Sequence, residues 1–310
     1  MLDSPDCSFD RLTKDISLVT TIDYFYPLVD DPYEQGRIGA ANVLSDLYAA
    51  GVHEVRSGLM VLSVSTKMTP EEQDIVTKMT IRGFSDAFRD ARAEVTGGQT
   101  VYNEAPIIGG TAIGVARGED HYTPRNAQPG DILVLTKPLG SQIVVNVNQY
   151  LKNRDEKWKK LSEEKNLISE DEVLETYLRS VEIMGRLNRN ASLKMLKCGA
   201  TSSTDVTGFG ILGHAQNLAS IQRENVDFVI DCLPCYAGMA KLDNIVRDFN
   251  IKDGYTPETS GGLLVSLPPL GVGRFLKEVG DLGEEAWIVG RVVEGERKAR
   301  LNPDVEILDV

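Results

Sequence analysis

Apolar and polar positions follow two different periods along the first half of the chain. Runs rich in apolar and β-branched residues at 16–22, 59–64 and 107–115 predict three strands. Over residues 35–50 the apolar side chains recur at three-and-four spacing, which predicts a helix. Thr69, followed by a proline and two glutamates, is the start signal of a second, long helix. The first half therefore alternates strands and helices.

The second half begins after a turn cluster, Gln-Pro-Gly-Asp at 128–131, which predicts a boundary between two domains, 1–128 and 129–310. The same periodicities predict the remaining strands, at 132–135, 226–230, 262–267 and 287–293. They also predict helices at about 141–151, 170–197 and 236–248, another helix between the glycine-rich segment 203–214 and the strand at 226, and a charged surface stretch at 155–165. Both halves mix the two kinds of element, so the predicted fold class is two α/β or α+β domains.

Charge and composition exclude several classes of partner. The 310 residues include 33 Lys and Arg against 46 Asp and Glu, a net charge of −13. Such a chain repels nucleic acids and anionic membranes, and its apolar runs are too short to span a bilayer. Four cysteines are too few for a disulfide framework. With no basic-then-apolar leader at the start, we expect a cytoplasmic protein.

Aspartates in unusual settings are the first candidates for chemistry. Asp23 directly follows a predicted apolar strand. Asp46 lies four residues after Asn42 on the predicted helix, so the two side chains share one helix face. Aspartate is a poor residue for a helix interior, which favours a specific role. The alternative is a solvated surface carboxylate.

The segment 203–214 is the strongest local signal. Gly208, Gly210 and Gly213 have the spacing of a dinucleotide-binding fingerprint, and Asp231 follows where the ribose-binding acid would lie. However, Asp205 precedes the first glycine by three residues and would face the pyrophosphate. A metal ligand that bridges to phosphate is the better interpretation of this carboxylate.

Other small motifs leave two interpretations open. Residues 96–100 and 259–262 are glycine-rich and could bind an anion through backbone N–H groups or form tight turns. Cys232 and Cys235 have the spacing of metal ligands but lack a second pair, which favours coincidence. The histidines His53, His121 and His214 are scattered, and we expect a structural role for His214.

Taken together, these segments resemble selenophosphate synthetase (selenide, water dikinase), most closely its eukaryotic members. The matching segments follow the family's order over nearly the whole chain: TIDYFYPLVDDP at 21–32, GRI at 36–38, ANVLSDLYA at 41–49, LTKPLG at 135–140, TDVTGFGILGH at 204–214 and PETSGGLL at 257–264.

The resemblance implies a two-domain ATP-binding fold like that of aminoimidazole ribonucleotide synthetase. Residues 1–128 would form an N-terminal α/β domain that binds ATP and metal and dimerises through a shared β-barrel, and residues 129–310 an α+β domain. The family converts ATP, selenide and water to selenophosphate, phosphate and AMP. We therefore expect a homodimeric enzyme that acts on ATP and selenide.

The resemblance also implies roles for individual residues. Asp46 and Asp205 match family metal ligands, and Asp23 matches a nucleotide contact. A third metal aspartate, also near the nucleotide, belongs about 17 residues before Asp23. Asp6 has this spacing, and Asp3 is the alternative if the chain carries a short insertion.

A nucleotide-binding turn is the last element that the resemblance implies. Gly97, Gly98, Gln99 and Thr100 match the family's Gly-Gly loop for phosphate and nucleotide, which serves the neighbouring subunit's site in the dimer.

Carboxylates about 4 Å apart repel by roughly 4 kcal/mol at an effective dielectric constant of 20, so clustered aspartates stay ionised only beside divalent cations. Mg²⁺ is the expected cofactor, with K⁺ as a candidate second cation.

The chain also departs from the family pattern. Family members carry a Cys or selenocysteine and a Lys in a glycine-rich segment upstream of the first aspartate, and neither Cys7 nor Lys14 matches these. We therefore expect a truncated chain that folds and dimerises but is catalytically impaired, with no catalytic residue of its own. Ile22 also stands where the family usually has a Thr.

Two alternatives remain open at this point. A sibling enzyme on the same scaffold, such as a thiamine-phosphate kinase or a purine-pathway cyclo-ligase, would share the aspartates but release ADP. A non-catalytic paralogue would share the fold and act as a scaffold or regulator.

Overall fold

A computed structural model describes residues 6–118, 122–246 and 249–310. Its strands are β1 (Ser8–Thr13), β2 (Ile16–Phe25), β3 (Glu54–Ser65), β4 (Glu94–Asn103), β5 (Ile107–Arg117), β6 (Ile132–Leu135), β7 (Ser202–Asp205), β8 (Val226–Cys235), β9 (Leu263–Leu267), β10 (Trp287–Glu294) and β11 (Ala299–Asp309). Its α-helices are α1 (Pro32–Ala49), α2 (Pro70–Asp90), α3 (Ser141–Asn153), α4 (Glu156–Trp158), α5 (Glu170–Gly185), α6 (Arg189–Lys197), α7 (Gly210–Ser220), α8 (Met239–Val246) and α9 (Pro269–Gly280). A π-helical turn (Lys159–Glu164) and a 3₁₀ turn (Ile251–Asp253) complete the set.

The chain divides into two compact units. The first comprises Met1–Pro124 and Met184–Leu196, and the second comprises Arg125–Ile183 and Lys197–Val310. None of the described helices combines the length and the apolar character that crossing a bilayer requires.

In the first unit, α1 and α2 pack against a five-stranded sheet of order β1-β2-β5-β3-β4. Its neighbours are antiparallel except for the parallel pair of β3 and β4. Helix α2 begins where the sequence predicts, whereas α1 begins at Pro32, three residues before the predicted start. The Asp31 side chain accepts from the backbone at the start of α1, and Thr69 and Glu72 form a capping box at the start of α2.

Side chains of β2 alternate between the two faces of this sheet. Thr21 and Asp23 point toward α1, whereas Ile22 and Tyr24 point to the other face and are exposed. Cross-strand pairing places Leu59 of β3 on the same face as Ile22, and Val101 of β4 lies there as well. We call the surface formed by Ile22, Tyr24, Leu59 and Val101 the open face.

The second unit is built on a six-stranded sheet of order β11-β8-β10-β6-β9-β7. Its neighbours are antiparallel except for β11, which is parallel to β8. The hydrophobic core includes Trp158, Phe228 and Tyr236, all almost fully buried. Thus Trp158 anchors the stretch that the sequence predicts to be only a charged surface segment.

The structure corrects several predicted elements. The helix predicted over 170–197 is two helices, α5 and α6, and α6 belongs to the first unit for all but its last residue. Asn188, between them, donates to the Ser45 hydroxyl of α1 (2.9 Å), which holds the break in place. The strands β1, β4, β7 and β11 and the helix α9 are not among the predicted elements.

Candidate functional site

Two side-chain hydrogen bonds join β2 to α1 in the first unit. The Thr21 hydroxyl donates to the Asp46 carboxylate, and the Asn42 amide donates to the Asp23 carboxylate. Thr21 and Asp23 are two residues apart, about 6.6 Å along the strand, and Asn42 and Asp46 are four residues apart, about 6.0 Å along the helix. The two distances match, so both hydrogen bonds can form side by side. The geometry thus brings the two predicted aspartates to one seam and gives each a side-chain donor.

Asp6 lies at the same seam. Its backbone carbonyl is 3.4 Å from the Thr21 hydroxyl oxygen. Because a hydroxyl has one proton and Asp46 is the closer acceptor, Thr21 donates to the Asp46 carboxylate, and the Asp6 carbonyl is a second, more distant acceptor. Asp3 lies outside the described residues, so the choice of Asp6 stays a prediction.

The donor set of this seam consists of oxygen atoms. The Asp23 and Asp46 carboxylates lie here with the Thr21 hydroxyl, the Asn42 amide and the backbone carbonyl of Asp6. Oxygen donors with several negative charges suit a hard cation such as Mg²⁺ rather than a soft one. The residues therefore fit the predicted cofactor.

Residues 96–100 do not form the predicted turn. They lie in β4, an exposed edge strand with an irregular register against β3 at Thr96. Gly98 is required there: it has a φ of +153°, and a Cβ atom would lie 2.0 Å from the Met60 carbonyl oxygen. A Cβ on Gly97 would meet only the end of the Leu59 side chain at 3.5 Å. The nucleotide contact predicted for Gly97, Gly98, Gln99 and Thr100 stays a prediction.

Asp205 is the last residue of β7 in the second unit and is 1 % exposed. The turn that follows is held by His214, whose Nε2 accepts from the Phe209 N–H (3.4 Å) and lies 3.1 Å from the Thr207 hydroxyl. Because a backbone N–H can only donate, His214 carries its proton on Nδ1. Burial lowers the pKa of His214 to about 4, so its ring is neutral at pH 7. These contacts support a structural role for His214.

The strand order excludes the dinucleotide fingerprint. A Rossmann unit needs β7 and β8 to be parallel neighbours, but four strand steps separate them in the sheet. Asp231, the candidate ribose ligand, forms an ion pair with Arg291 instead.

The remaining small motifs are structural. Cys232 and Cys235 are three residues apart in β8 and point to opposite faces, so they cannot bind one metal together. His53 Nε2 lies 2.8 Å from the Ser192 hydroxyl, which donates to the Tyr48 carbonyl (2.5 Å) and so ties α6 to the first unit. His121 lies outside the described residues.

Two features of the site escaped prediction from the sequence. Thr21 is in the matched segment, and period-two alternation alone puts it on the face of Asp23, so this signal was available. Glu258 is a fully buried carboxylate in the segment before β9. It lies in the matched segment at 257–264, but no local chemical pattern assigns it a role, because its partners lie more than a hundred residues away in the chain.

Comparison with known proteins decides the family. Residues 4–116 match the family model described as AIR synthase related protein, N-terminal domain, and residues 128–301 match its C-terminal domain. The human protein named selenide, water dikinase 2 is 47 % identical over 299 residues, covering 95 % of this chain and 66 % of the human protein. The selenide, water dikinase of Trypanosoma brucei brucei is 44 % identical over 317 residues, covering 98 % of this chain and 80 % of that protein. The chain belongs to the selenide, water dikinase family.

This membership confirms the resemblance found in the sequence. The chain spans slightly less than two thirds of the human relative's length. Thiamine-monophosphate kinase from Stenotrophomonas maltophilia K279a has a similar fold, with a TM-score of 0.69 and 17 % identity over 94 % of this chain and 86 % of that one. The two-domain AIR synthase-like fold is therefore confirmed, whereas the β-barrel and the dimer stay predictions.

Proposed function

We propose that this protein makes selenophosphate from selenide, ATP and water, with phosphate and AMP as the other products. The observation that carries the proposal is the seam between β2 and α1, where Thr21 and Asn42 each donate to a carboxylate of the matched family motif. The human and trypanosome relatives are both named selenide, water dikinases, which supports the same chemistry here.

The proposed roles of the carboxylates follow from their donors. Asp6, Asp46 and Asp205 are the proposed Mg²⁺ ligands, and Asp23 is the proposed nucleotide contact. When bound, Mg²⁺ supplies positive charge that offsets the charge of the triphosphate. Thr21 and Asn42 fix the direction of Asp46 and Asp23 before ligands arrive, which reduces the ordering required on binding. A K⁺ requirement remains part of the proposal to be tested.

The proposed homodimer uses the open face. Ile22 and Tyr24 are 62 % and 61 % exposed there, and a groove of about 510 Å³ runs between Ile22, Leu59 and Asp6. Contiguous exposed apolar side chains on one sheet face are typical of an interaction surface. A second copy of this sheet would cover them, as the family's shared β-barrel would require. The division into an N-terminal ATP-binding and dimerisation domain and a C-terminal domain, and a cytoplasmic location, also remain proposals.

³¹P NMR of Mg·ATP turnover with selenide under anaerobic conditions tests the activity. The 310-residue chain is compared with a chimaera that carries the N-terminal segment of the trypanosome relative in front of it, because the resemblance assigns a Cys or selenocysteine and a Lys to that segment. Selenophosphate, phosphate and AMP from the chimaera support the proposal. ADP as the nucleotide product would favour a sibling kinase, and unreacted ATP in both samples a non-catalytic paralogue.

A further inference from the structure

Three segments of the second unit meet at the end of β7. They are the loop after β6 (residues 136–140), the end of β7 with Asp205, and the segment before β9 (residues 258–262). The Val206 N–H donates to the Gly262 carbonyl (2.9 Å), and the Glu258 N–H donates to the Thr207 carbonyl (3.0 Å). These two bonds hold the backbone on the C-terminal side of Asp205.

Glu258 connects this backbone to helix α3. Its carboxylate accepts from the Gly140 N–H (2.6 Å), the Ser141 N–H (2.9 Å) and the Ser141 hydroxyl. Gly140 is the N-cap of α3 and has no side chain to satisfy the first N–H groups of the helix. Glu258 therefore caps α3 from a distant part of the chain, with its negative charge at the positive end of the helix.

A second contact fixes the same segment. Lys137 is 2 % exposed, and its ammonium group donates to the Ser260 carbonyl (2.8 Å). Ser260 has a φ of +48°, a left-handed conformation that a serine adopts only when its surroundings hold it. At Gly262 a Cβ atom would lie 2.3 Å from the backbone nitrogen of Lys137, so the two segments pack too closely for a side chain at position 262.

Two opposite effects set the pKa of Glu258. Burial raises the pKa of Glu258 to about 7, and the donors Gly140 and Ser141 oppose that rise. The thiol of Cys235 also interacts with this carboxylate. Burying a carboxylate costs free energy even when it has three donors, so such a residue is not expected in a loop that only connects two elements.

We propose that Glu258 is a positioning residue that holds the Asp205 carboxylate in its metal-binding direction by joining the backbone after Asp205 to the N-terminus of α3. This inference rests on the proposed function, in which Asp205 binds Mg²⁺. Outer residues that orient a metal ligand typically change metal affinity by about 10- to 100-fold when they are replaced.

The test measures the Mg²⁺ concentration that half-saturates ATP binding to the whole chain, by calorimetric titration without selenide. Glu258→Gln keeps the shape of the side chain and removes the second acceptor oxygen. Asp227→Asn is the matched control: Asp227 also accepts from two backbone N–H groups and one side chain, in β8. It lies four strand steps, about 19 Å, from β7.

We expect Glu258→Gln to raise the half-saturating Mg²⁺ concentration by about 10-fold, with Asp227→Asn unchanged. If Glu258→Gln and the wild type need the same Mg²⁺ concentration, the inference is overturned. In that case, Mg²⁺-dependent ATP binding by the wild type still supports the proposed function. Absence of such binding in the wild type would overturn both. If Glu258→Gln does not fold, Ser141→Ala removes one donor and should shift the same concentration by about 3-fold; no shift would overturn the inference.

Discussion

Removing the Thr21 hydroxyl tests the seam between β2 and α1 directly. Thr21→Val keeps the shape of a side chain that is only 8 % exposed and deletes the donor to Asp46. Hydrogen bonds to charged groups contribute about 1.5–3 kcal/mol, and water can replace part of this at the half-buried Asp46. We therefore expect a loss of about 1–2 kcal/mol in the free energy of unfolding.

Two further variants isolate the role of the hydroxyl. Thr20→Val makes the same chemical change on the opposite face of β2, where Thr20 is half-buried, and should change stability by less than about 0.5 kcal/mol. Thr21→Ser keeps the hydroxyl and loses one methyl group, which costs about 0.8 kcal/mol. Urea denaturation measures all three.

The functional readout is the Mg²⁺ dependence of ATP binding. If Thr21 orients a metal ligand, Thr21→Val should raise the half-saturating Mg²⁺ concentration by about 10-fold, and Thr21→Ser should leave it close to the wild-type value. Equal stability and equal Mg²⁺ dependence of Thr21→Val and Thr20→Val would refute the argument that this bond prepares the site.

Three further predictions concern the edge strand, the buried carboxylate and the open face. Gly98→Ala should lower the free energy of unfolding by about 1–3 kcal/mol because its Cβ would strike the Met60 carbonyl oxygen, whereas Gly97→Ala should be nearly neutral, and similar melting temperatures of the two variants would contradict this. The pKa of Glu258 in the folded state, about 7, exceeds its ordinary value of 4.5, so the folded state binds the proton more tightly than the unfolded state. The wild type should therefore lose up to about 3 kcal/mol of stability relative to Glu258→Gln as the pH rises from 4.5 to 7.5. Urea denaturation measures this loss, and the same pH dependence of stability in both proteins would contradict the prediction. Ile22→Asp should shift the protein from dimer to monomer in sedimentation equilibrium, while Ile75→Asp on α2, where Ile75 is 61 % exposed, should leave the dimer intact; a monomeric wild type would exclude the proposed interface.

The first half of the fold could be predicted because its signals are local. The start of α2 is encoded by Thr69, a proline and Glu72 within four residues, and the structure has the capping box. The shared face of Asn42 and Asp46 follows from helix periodicity alone. What periodicity does not provide is the partner of that face, which depends on where β2 packs.

β4 was missed because glycines dominate local prediction. Two adjacent glycines in residues 96–100 predict a turn from propensity, since glycine is weak in strands. In the structure, parallel pairing with β3 overrides this, and Gly98 is needed because the two backbones approach closely there. The same residues that argue against a strand are those that allow this one to pair.

Strand β7 is harder to predict from the sequence than β4, because its polar sequence Ser-Ser-Thr-Asp is fully buried. Such a strand is stable only if its polar groups have partners, and these come from distant parts of the chain: Gln222 donates to Ser202 (3.1 Å), and β9 pairs along the whole strand. No local window contains those partners, so no periodicity could reveal the strand. The network that makes burial possible also leaves Asp205 at a rigid strand end, joined through Thr207 to Glu258. Local patterns therefore fail where distant segments have to hold one carboxylate in place, and that is where metal binding is proposed.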